Sequence, residues 1–166
     1  MTSADAGWLA IESLPVGLIT WFSPEGRAVA APASWLAVVN GPPALLRAGC
    51  FGRGPGSDEL PTGLDFAVNI PVDLALPRQL MAKASCRGPV LIDNISGLAP
   101  ARLVHAPLLT GCALQIECAH GLIVPGDWDI ELVGEVMLLH RGDFFLDPAK
   151  HPDFCALRPL HVIFPS

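Results

Sequence analysis

The sequence predicts one mainly β domain with a few short helices, and two observations carry that prediction. The 166 residues are enough for a single domain with a sizeable core, whereas two domains would each be small. The 16 glycines and 17 prolines interrupt the chain too often for a helical bundle and are typical of short strands joined by turns. No repeat, low-complexity linker or shift in composition marks a boundary, so we expect residues 1–166 to form one unit.

The N-terminal part of the chain predicts an antiparallel meander. Its strands combine β-branched and aromatic residues, and the turn residues Ser23–Gly26 and Asn40–Pro43 separate them. The predicted strands are Pro15–Phe22, Arg27–Val39 with a break at Pro32, and Ala44–Ala48. The Gly-rich stretch Cys50–Gly63 has no apolar periodicity, and a loop of this length is more often functional than an ordinary connection.

The remainder of the chain predicts three more strands and one helix. In the strand Cys112–His120, Glu117 falls on the wetter of two alternating faces. Leu74–Ala84 has the apolar spacing of a helix, with Asp73 as its N-cap. The other predicted segments are the strands Asp65–Ile70 and Ile130–His140, an irregular stretch Ser85–Pro107, a turn-rich tail Arg141–Phe154 and a final apolar segment Leu157–Phe164.

The charge pattern argues against nucleic acid and membrane partners. The net charge is −6, and no run of Lys and Arg is present to contact phosphates or an anionic membrane. Met1–Gly7 lacks the features of a signal peptide, and no stretch reaches the ~20 apolar residues of a membrane-spanning helix. Half of the residues are hydrophobic and only 16% are charged. We therefore expect a cytoplasmic protein whose apolar surface is covered by a second subunit.

Neither the cysteines nor the histidines form a metal or catalytic pattern. The five cysteines include no CxxC pair, which favours buried small hydrophobic residues in a reducing compartment. The five histidines have no partner at metal-ligand spacing, and we expect His140 and His151 to be solvated. Glu131 and Glu135 are interpreted as polar positions on one strand face. The motifs of Rossmann folds, P-loops, serine hydrolases and zinc proteases are all missing.

Several stretches in the same order resemble the flavin-reductase-like family, which includes flavoredoxins and the reductase components of two-component monooxygenases. The small residues of Ala30–Trp35 and the Pro-Pro turn after Asn40 are similar to one pattern of that family. Phe66–Ile70 is similar to its "F-x-V-N-hydrophobic" strand. The other matching stretches are Ser96–Ala101, His105–Leu108, Ala113–Cys118, Gly126–Val136 and Asp153–Leu160. The ordered set spans about residues 14 to 160, although no single element is specific.

The resemblance implies a split β-barrel with Greek-key strands, FMN held at a homodimer interface, and hydride transfer from NAD(P)H. Small residues let the backbone approach a flat flavin ring, and Arg side chains, Ser57 and Gly-rich amides suit a phosphate. The predicted cofactor-binding residues are Ala31, Pro32, Ala33, Ser34, Trp35, Arg47, Ala48, Gly49, Arg53, Ser57 and Trp128. Asn69 is expected to bridge backbone groups within the barrel, and no protein nucleophile is needed because the cofactor carries the chemistry.

Three functions remain open at this stage. The first is an NAD(P)H-dependent FMN reductase that supplies a partner monooxygenase or another electron acceptor. The second is an FMN-carrying electron-transfer protein without NAD(P)H activity. Trp128 favours it, because it stands where the family has a histidine near the nicotinamide. The third is a barrel that has lost flavin, since the Gly-rich loop and the C-terminal residues differ from the family pattern.

Overall fold

The computed structural model describes residues 17–39, 41–50, 62–71, 89–125, 130–141 and 144–146, and these ranges contain ten strands and no helix. The helix predicted at Leu74–Ala84 and the segment Leu157–Phe164 lie outside the described residues. The strands are β1 (Gly17–Phe22), β2 (Ala28–Val39), β3 (Leu45–Cys50), β4 (Phe66–Pro71), β5 (Val90–Leu91), β6 (Leu98–Pro100), β7 (Pro107–Leu109), β8 (Cys112–Pro125), β9 (Ile130–Arg141) and β10 (Phe144–Leu146).

Six of these strands form a closed antiparallel ring. The order is β1-β4-β8-β9-β3-β2, and β2 closes the ring by pairing with β1. The neighbours β4-β1-β2-β3 have the spatial order of a Greek key, as predicted. The short strand β5 pairs with β2, and β10 pairs with β9. Strands β6 and β7 pair with each other in a separate two-stranded sheet. The fold is therefore a mainly β Greek-key barrel.

The predicted strands correspond to β1, β2, β3, β4, β8 and β9, with two differences of extent. β2 runs without a break through Pro32. On one edge of β2 this residue pairs with β1, and on the other edge it lies after the residues that pair with β5 and before those that pair with β3. A missing N–H is tolerated at such a position. β8 continues to Pro125, beyond the predicted end at His120.

Two stretches that were predicted to be irregular contain short strands. Ser85–Pro107 includes β5, β6 and the first residue of β7, and the tail after Arg141 includes β10. These strands have only two or three residues each. They form because they pair with longer strands or with each other. Local sequence patterns do not predict such pairing.

The barrel interior is filled by one apolar cluster to which all six ring strands contribute. Phe66, Leu46, Ile116 and Leu132 are fully buried within it. Gly134 makes room for Phe66, since a Cβ on this glycine would lie 2.5 Å from the Phe66 ring. Large and small residues therefore alternate across the core, as close packing requires.

A β-bulge in β2 changes which residues face this interior. The pairing with β3 shifts between Ala33 and Trp35. Before the bulge Ala31 and Ala33 belong to the core, and after it Leu36 and Val38 do. An extra residue at a bulge inverts the alternation of a strand. Trp35 consequently lies on the outer face of the barrel.

A buried polar network ties β7 to the outside of the barrel. The Asn69 amide donates to the Thr20 hydroxyl at 2.9 Å and to the Leu18 carbonyl at 3.3 Å, and its oxygen accepts from Leu109 N at 2.9 Å. The Thr20 hydroxyl donates in turn to the Pro107 carbonyl at 2.6 Å. Asn69 therefore bridges backbone groups, as the sequence predicted.

Glu117 and His140 correct the sequence-based interpretation. Glu117 is fully buried, and its carboxylate accepts from Arg102 N and Leu103 N at 2.7 Å and contacts His140 Nε2 at 2.6 Å. His140 is 8% exposed, so the prediction of a solvated histidine was wrong. The residues between β6 and β7 fold over this part of β8 and cover Glu117.

Candidate flavin site

The pairing of β2 with its neighbours is interrupted for two residues along one edge. On that edge β5 pairs with Val29 and Ala30, whereas β3 begins to pair at Ala33. The backbone of Ala31 and Pro32 therefore lies between two partner strands. The bulge at Ser34 follows at once. Gaps and bulges of this kind re-aim backbone groups next to functional sites.

The register of the sheet brings the ends of three other strands to this place. Ala33 pairs with Cys50, Cys50 with Ile130, and Ile130 with Pro125. Cys50 is the last residue of β3, and Pro125 and Ile130 are the two ends of the β8–β9 connection. The predicted residues Arg53, Ser57 and Trp128 belong to the connections that leave from these ends, although they lie outside the described residues.

The side chains at this junction are small and buried. Ala31 is 4% exposed, and Ala33 and Ala48 are fully buried. Because these alanines belong to the barrel core, a flat ring that approaches β2 from outside would meet the backbone rather than their side chains. The residues present thus fit the isoalloxazine part of a flavin, which needs close backbone contact rather than a charged side chain.

Trp35 and Gly49 form a stacked pair on neighbouring strands. A Cβ on Gly49 would lie only 2.0 Å from the indole Nε1 of Trp35, so the indole covers the glycine backbone. The Arg47 guanidinium lies 5.8 Å from the centre of the same indole, within the range of a cation–π contact. The predicted residues Trp35, Arg47 and Gly49 are thus brought together on the outer face.

Arg47 is engaged by a carboxylate. Its Nε and Nη2 donate to the two carboxylate oxygens of Glu131 in a bidentate pair, the second bond measuring 3.0 Å. Hydrogen bonding to Glu131 raises the pKa of Arg47 above its usual value. This pairing satisfies much of the positive charge that the sequence suggested for a phosphate. Sequence reasoning treated Glu131 only as a polar strand position, because the register between β3 and β9 was not visible.

A separate cavity of about 740 Å³ lies at the opposite end of β1 and β2. Its wall includes Trp21, Arg27, Leu64 and Leu91. Arg27 is paired there with Asp93 at 2.5 Å. The cavity adjoins the Phe22–Ala28 turn, whereas the candidate site lies where Ala33 pairs with Gly17 and Cys50. Arg27 is therefore a charged residue remote from the candidate site, and it can be substituted as a control.

Two features are absent from the described ranges. No group of three or more His, Cys, Asp or Glu side chains there is arranged to hold a metal ion. No helix in the part of the chain that the structure describes is long and apolar enough to cross a membrane.

The sequence itself matches no protein-family profile and no curated protein, but the fold has clear relatives among solved structures. BorF, the flavin reductase component of a bacterial two-component tryptophan halogenase, is 18% identical with a TM-score of 0.61, covering 86% of this chain and 89% of that one. The NADH:FAD oxidoreductase SgcE6 of Streptomyces globisporus C-1027 is 19% identical with a TM-score of 0.60, covering 89% of each chain. Flavoredoxin from Methanosarcina acetivorans is 22% identical with a TM-score of 0.57, covering 88% of this chain and 77% of that one.

These similarities establish the fold. The chain has the split-barrel fold of flavin-reductase-like proteins, as the ordered sequence motifs predicted.

Proposed function

We propose that this protein binds FMN at the β2 junction and acts as an NAD(P)H-dependent flavin reductase. The observation that carries the proposal is the convergence at one place of the small-residue strand β2, the end of β3 and the end of the β8–β9 hairpin. The flavin-reductase-like fold supports the same assignment. The proposal includes a cytoplasmic homodimer. It also includes a partner enzyme such as a monooxygenase, since BorF is the reductase component of a two-component halogenase.

When bound, the flavin would supply the redox chemistry between a nicotinamide and an electron acceptor. The chain would bind the flavin and orient it. The backbone of Ala31–Ser34 would contact the flavin ring. The Trp35 indole, which covers Gly49, would lie beside that ring. Arg53, Ser57 and the amides of the Gly-rich stretch would hold the phosphate, because Arg47 is paired with Glu131.

A second function, an FMN carrier that never uses NAD(P)H, is favoured by one feature of the sequence. Trp128 occupies the position where the family places a histidine on the nicotinamide side. An indole cannot donate and accept protons as an imidazole does, and it would close the pocket by stacking instead. The two functions share the flavin site and differ only in the electron donor.

The first test is titration of the purified protein with FMN and, separately, with FAD. We expect saturable binding of FMN, seen as a change in flavin fluorescence, with weaker binding of FAD. A protein that binds neither would refute both functions and leave a barrel without flavin. Preferential binding of FAD would support the assignment as a flavoprotein but would show that the cofactor is FAD rather than FMN.

The second test is anaerobic stopped-flow mixing of the flavin-loaded protein with NADH or NADPH. Rapid bleaching of the flavin absorption is expected for a reductase. Loss of colour only with a chemical reductant such as dithionite would identify the carrier instead.

A set of variants tests the assigned residues. Ser34→Ala and Arg53→Ala should each weaken FMN binding, and loss of a charged hydrogen bond by Arg53 corresponds to about 10–100-fold in Kd. Arg27→Ala is the matched control, because Arg27 is paired with Asp93 at the other end of β2. Equal affinity in all three variants would show that the site residues are wrong even if flavin binds.

A further inference from the structure

We propose that the cavity beside the Phe22–Ala28 turn binds a small, uncharged and mostly apolar molecule. This cavity is separate from the candidate flavin site, so its ligand goes beyond the proposed function and does not depend on it. The inference rests on the position of the cavity in the barrel, on its exposed apolar wall and on the pairing of the charges at its rim.

One row of side chains runs across three strands into the cavity. Trp21 pairs with Val29, and Val29 pairs with Leu91. Residues that lie opposite each other in antiparallel strands point to the same face of the sheet. Trp21 and Val29 belong to the core cluster of the barrel, so this face is the interior one. The cavity therefore opens at one end of the barrel interior, and the mouths of β-barrels are preferred places for small-molecule sites.

The apolar wall of this cavity is open to solvent. Leu91 is 54% exposed, although the two core residues of its row are buried, and Leu64 is 37% exposed. Pro24 and Pro89 extend the apolar part of the wall. An exposed leucine that continues an interior row gains free energy when an apolar molecule covers it. The volume of about 740 Å³ falls within the range of about 300–1,000 Å³ that is typical of pockets for drug-sized ligands.

The charged groups at the rim of the cavity already have partners. Arg27 Nε donates to Asp93 at 2.5 Å, and the other carboxylate oxygen of Asp93 accepts from Ala28 N at 2.7 Å. The Ser23 hydroxyl accepts from Arg27 N at 3.2 Å. A hydrogen bond with the Ser23 side chain also lowers the pKa of the exposed Glu25 below its usual value. These charges are balanced by protein groups or by water, and none of them requires a charged ligand.

The same groups determine the class of the ligand. Two carboxylates and one guanidinium lie at the rim, so an anionic molecule would meet more repulsion than attraction there. A cationic group would have to compete with the hydrogen bonds that both carboxylates already make. The exposed Thr62 hydroxyl in the wall can bond to one neutral polar group. The ligand is therefore a compact ring compound or hydrocarbon with a hydroxyl or carbonyl group and no net charge.

The test is titration of the full chain with N-phenyl-1-naphthylamine, an uncharged dye whose fluorescence rises in apolar surroundings. We expect saturable binding at one site per chain, with the same Kd in the presence and in the absence of saturating FMN. The anionic dye 1-anilinonaphthalene-8-sulfonate has the same ring skeleton with an added sulfonate. We expect it to bind about tenfold more weakly, or weaker still, because of the carboxylates at the rim.

Two variants test whether the dye lies in this cavity. Leu91→Lys and Leu64→Lys each place an ammonium group in the apolar wall, and each should raise the Kd of the uncharged dye by about tenfold or more. Leu103→Lys and Val39→Lys are the matched controls, because these side chains are 60% and 36% exposed but lie outside the cavity wall. An unchanged circular dichroism spectrum checks that each variant folds.

Three results would overturn the inference. The first is the lack of saturable binding of the uncharged dye, which is expected if a second copy or another segment of this chain fills the cavity. The second is binding that the control variants weaken as much as the cavity variants do, or that FMN displaces, since the dye would then lie elsewhere. The third is equal or tighter binding of the sulfonate, which would show that the cavity takes anions.

Discussion

Replacing Glu117 by Gln tests whether the buried carboxylate holds the segment between β6 and β7 onto the barrel. In the native protein one carboxylate oxygen accepts from Arg102 N and meets His140 Nε2, and the other accepts from Leu103 N. The amide of the variant has only one acceptor oxygen. Whichever way that amide is oriented, its NH₂ group faces a backbone N–H, and one partly buried backbone amide loses its partner.

The expected loss of stability follows from the one hydrogen bond that the variant cannot make. A buried donor left without a partner costs about 1–3 kcal/mol, so we expect Glu117→Gln to lower the free energy of unfolding by about 2 kcal/mol. Glu117→Ala removes the acceptors of both backbone donors and breaks the contact with His140, which raises the expected loss to about 3–5 kcal/mol. At an m-value of about 2 kcal/mol/M, the Gln variant should unfold at about 1 M less urea.

The assay is equilibrium urea unfolding followed by tryptophan fluorescence. Glu135→Gln makes the same chemical change at a partly exposed position of β9 and is the control. Hydrogen exchange locates the effect, since the amides of Arg102 and Leu103 should exchange faster in Glu117→Gln. If the free energy of unfolding of that variant lies within about 0.5 kcal/mol of the wild-type value, the two hydrogen bonds from Arg102 N and Leu103 N do not hold the segment and the reasoning fails.

Three further changes test other parts of the structure. Gly134→Ala forces a Cβ to within 2.5 Å of the Phe66 ring and should cost about 1–3 kcal/mol by overpacking; an unchanged melting temperature would contradict the packing described. Gly49→Ala should displace the Trp35 indole, which a shift in tryptophan emission would reveal, whereas an identical spectrum would count against the stacked pair. Burial raises the pKa of Cys112 from its usual 9.0 to about 11. The thiol therefore ionises earlier in the unfolded chain, and the wild type should lose stability as the pH rises from about 9 to 11. Cys112→Ser should show a shallower loss, and an equal slope in both proteins would refute this origin.

The sequence predicted what depends on local chemistry. The strands from β1 to β4 end at Gly and Pro turns, so their approximate bounds follow from residue type. Asn69 was correctly expected to bridge backbone groups, because an amide inside a buried strand needs internal partners. The order of these strands came from resemblance to a known fold rather than from periodicity.

What the sequence missed are contacts between distant segments. Glu117 alternates with apolar residues as a surface position would, yet the segment between β6 and β7 covers it. The ion pair of Arg47 was not foreseen because its partner Glu131 lies 84 residues further along the chain, and a role of Arg47 in binding flavin stays a prediction. Only the pairing of β3 with β9 brings the two side chains together.

The bulge at Ser34 makes the length of β2 as important as its composition. Removing Ser34 would restore plain alternation and leave every face as it is, with Trp35 outside and Leu36 and Val38 in the core. Removing a residue after the bulge, such as Ala37, would instead turn the positions that follow it to the opposite face. The fold should accordingly tolerate deletion of Ser34 better than deletion of Ala37.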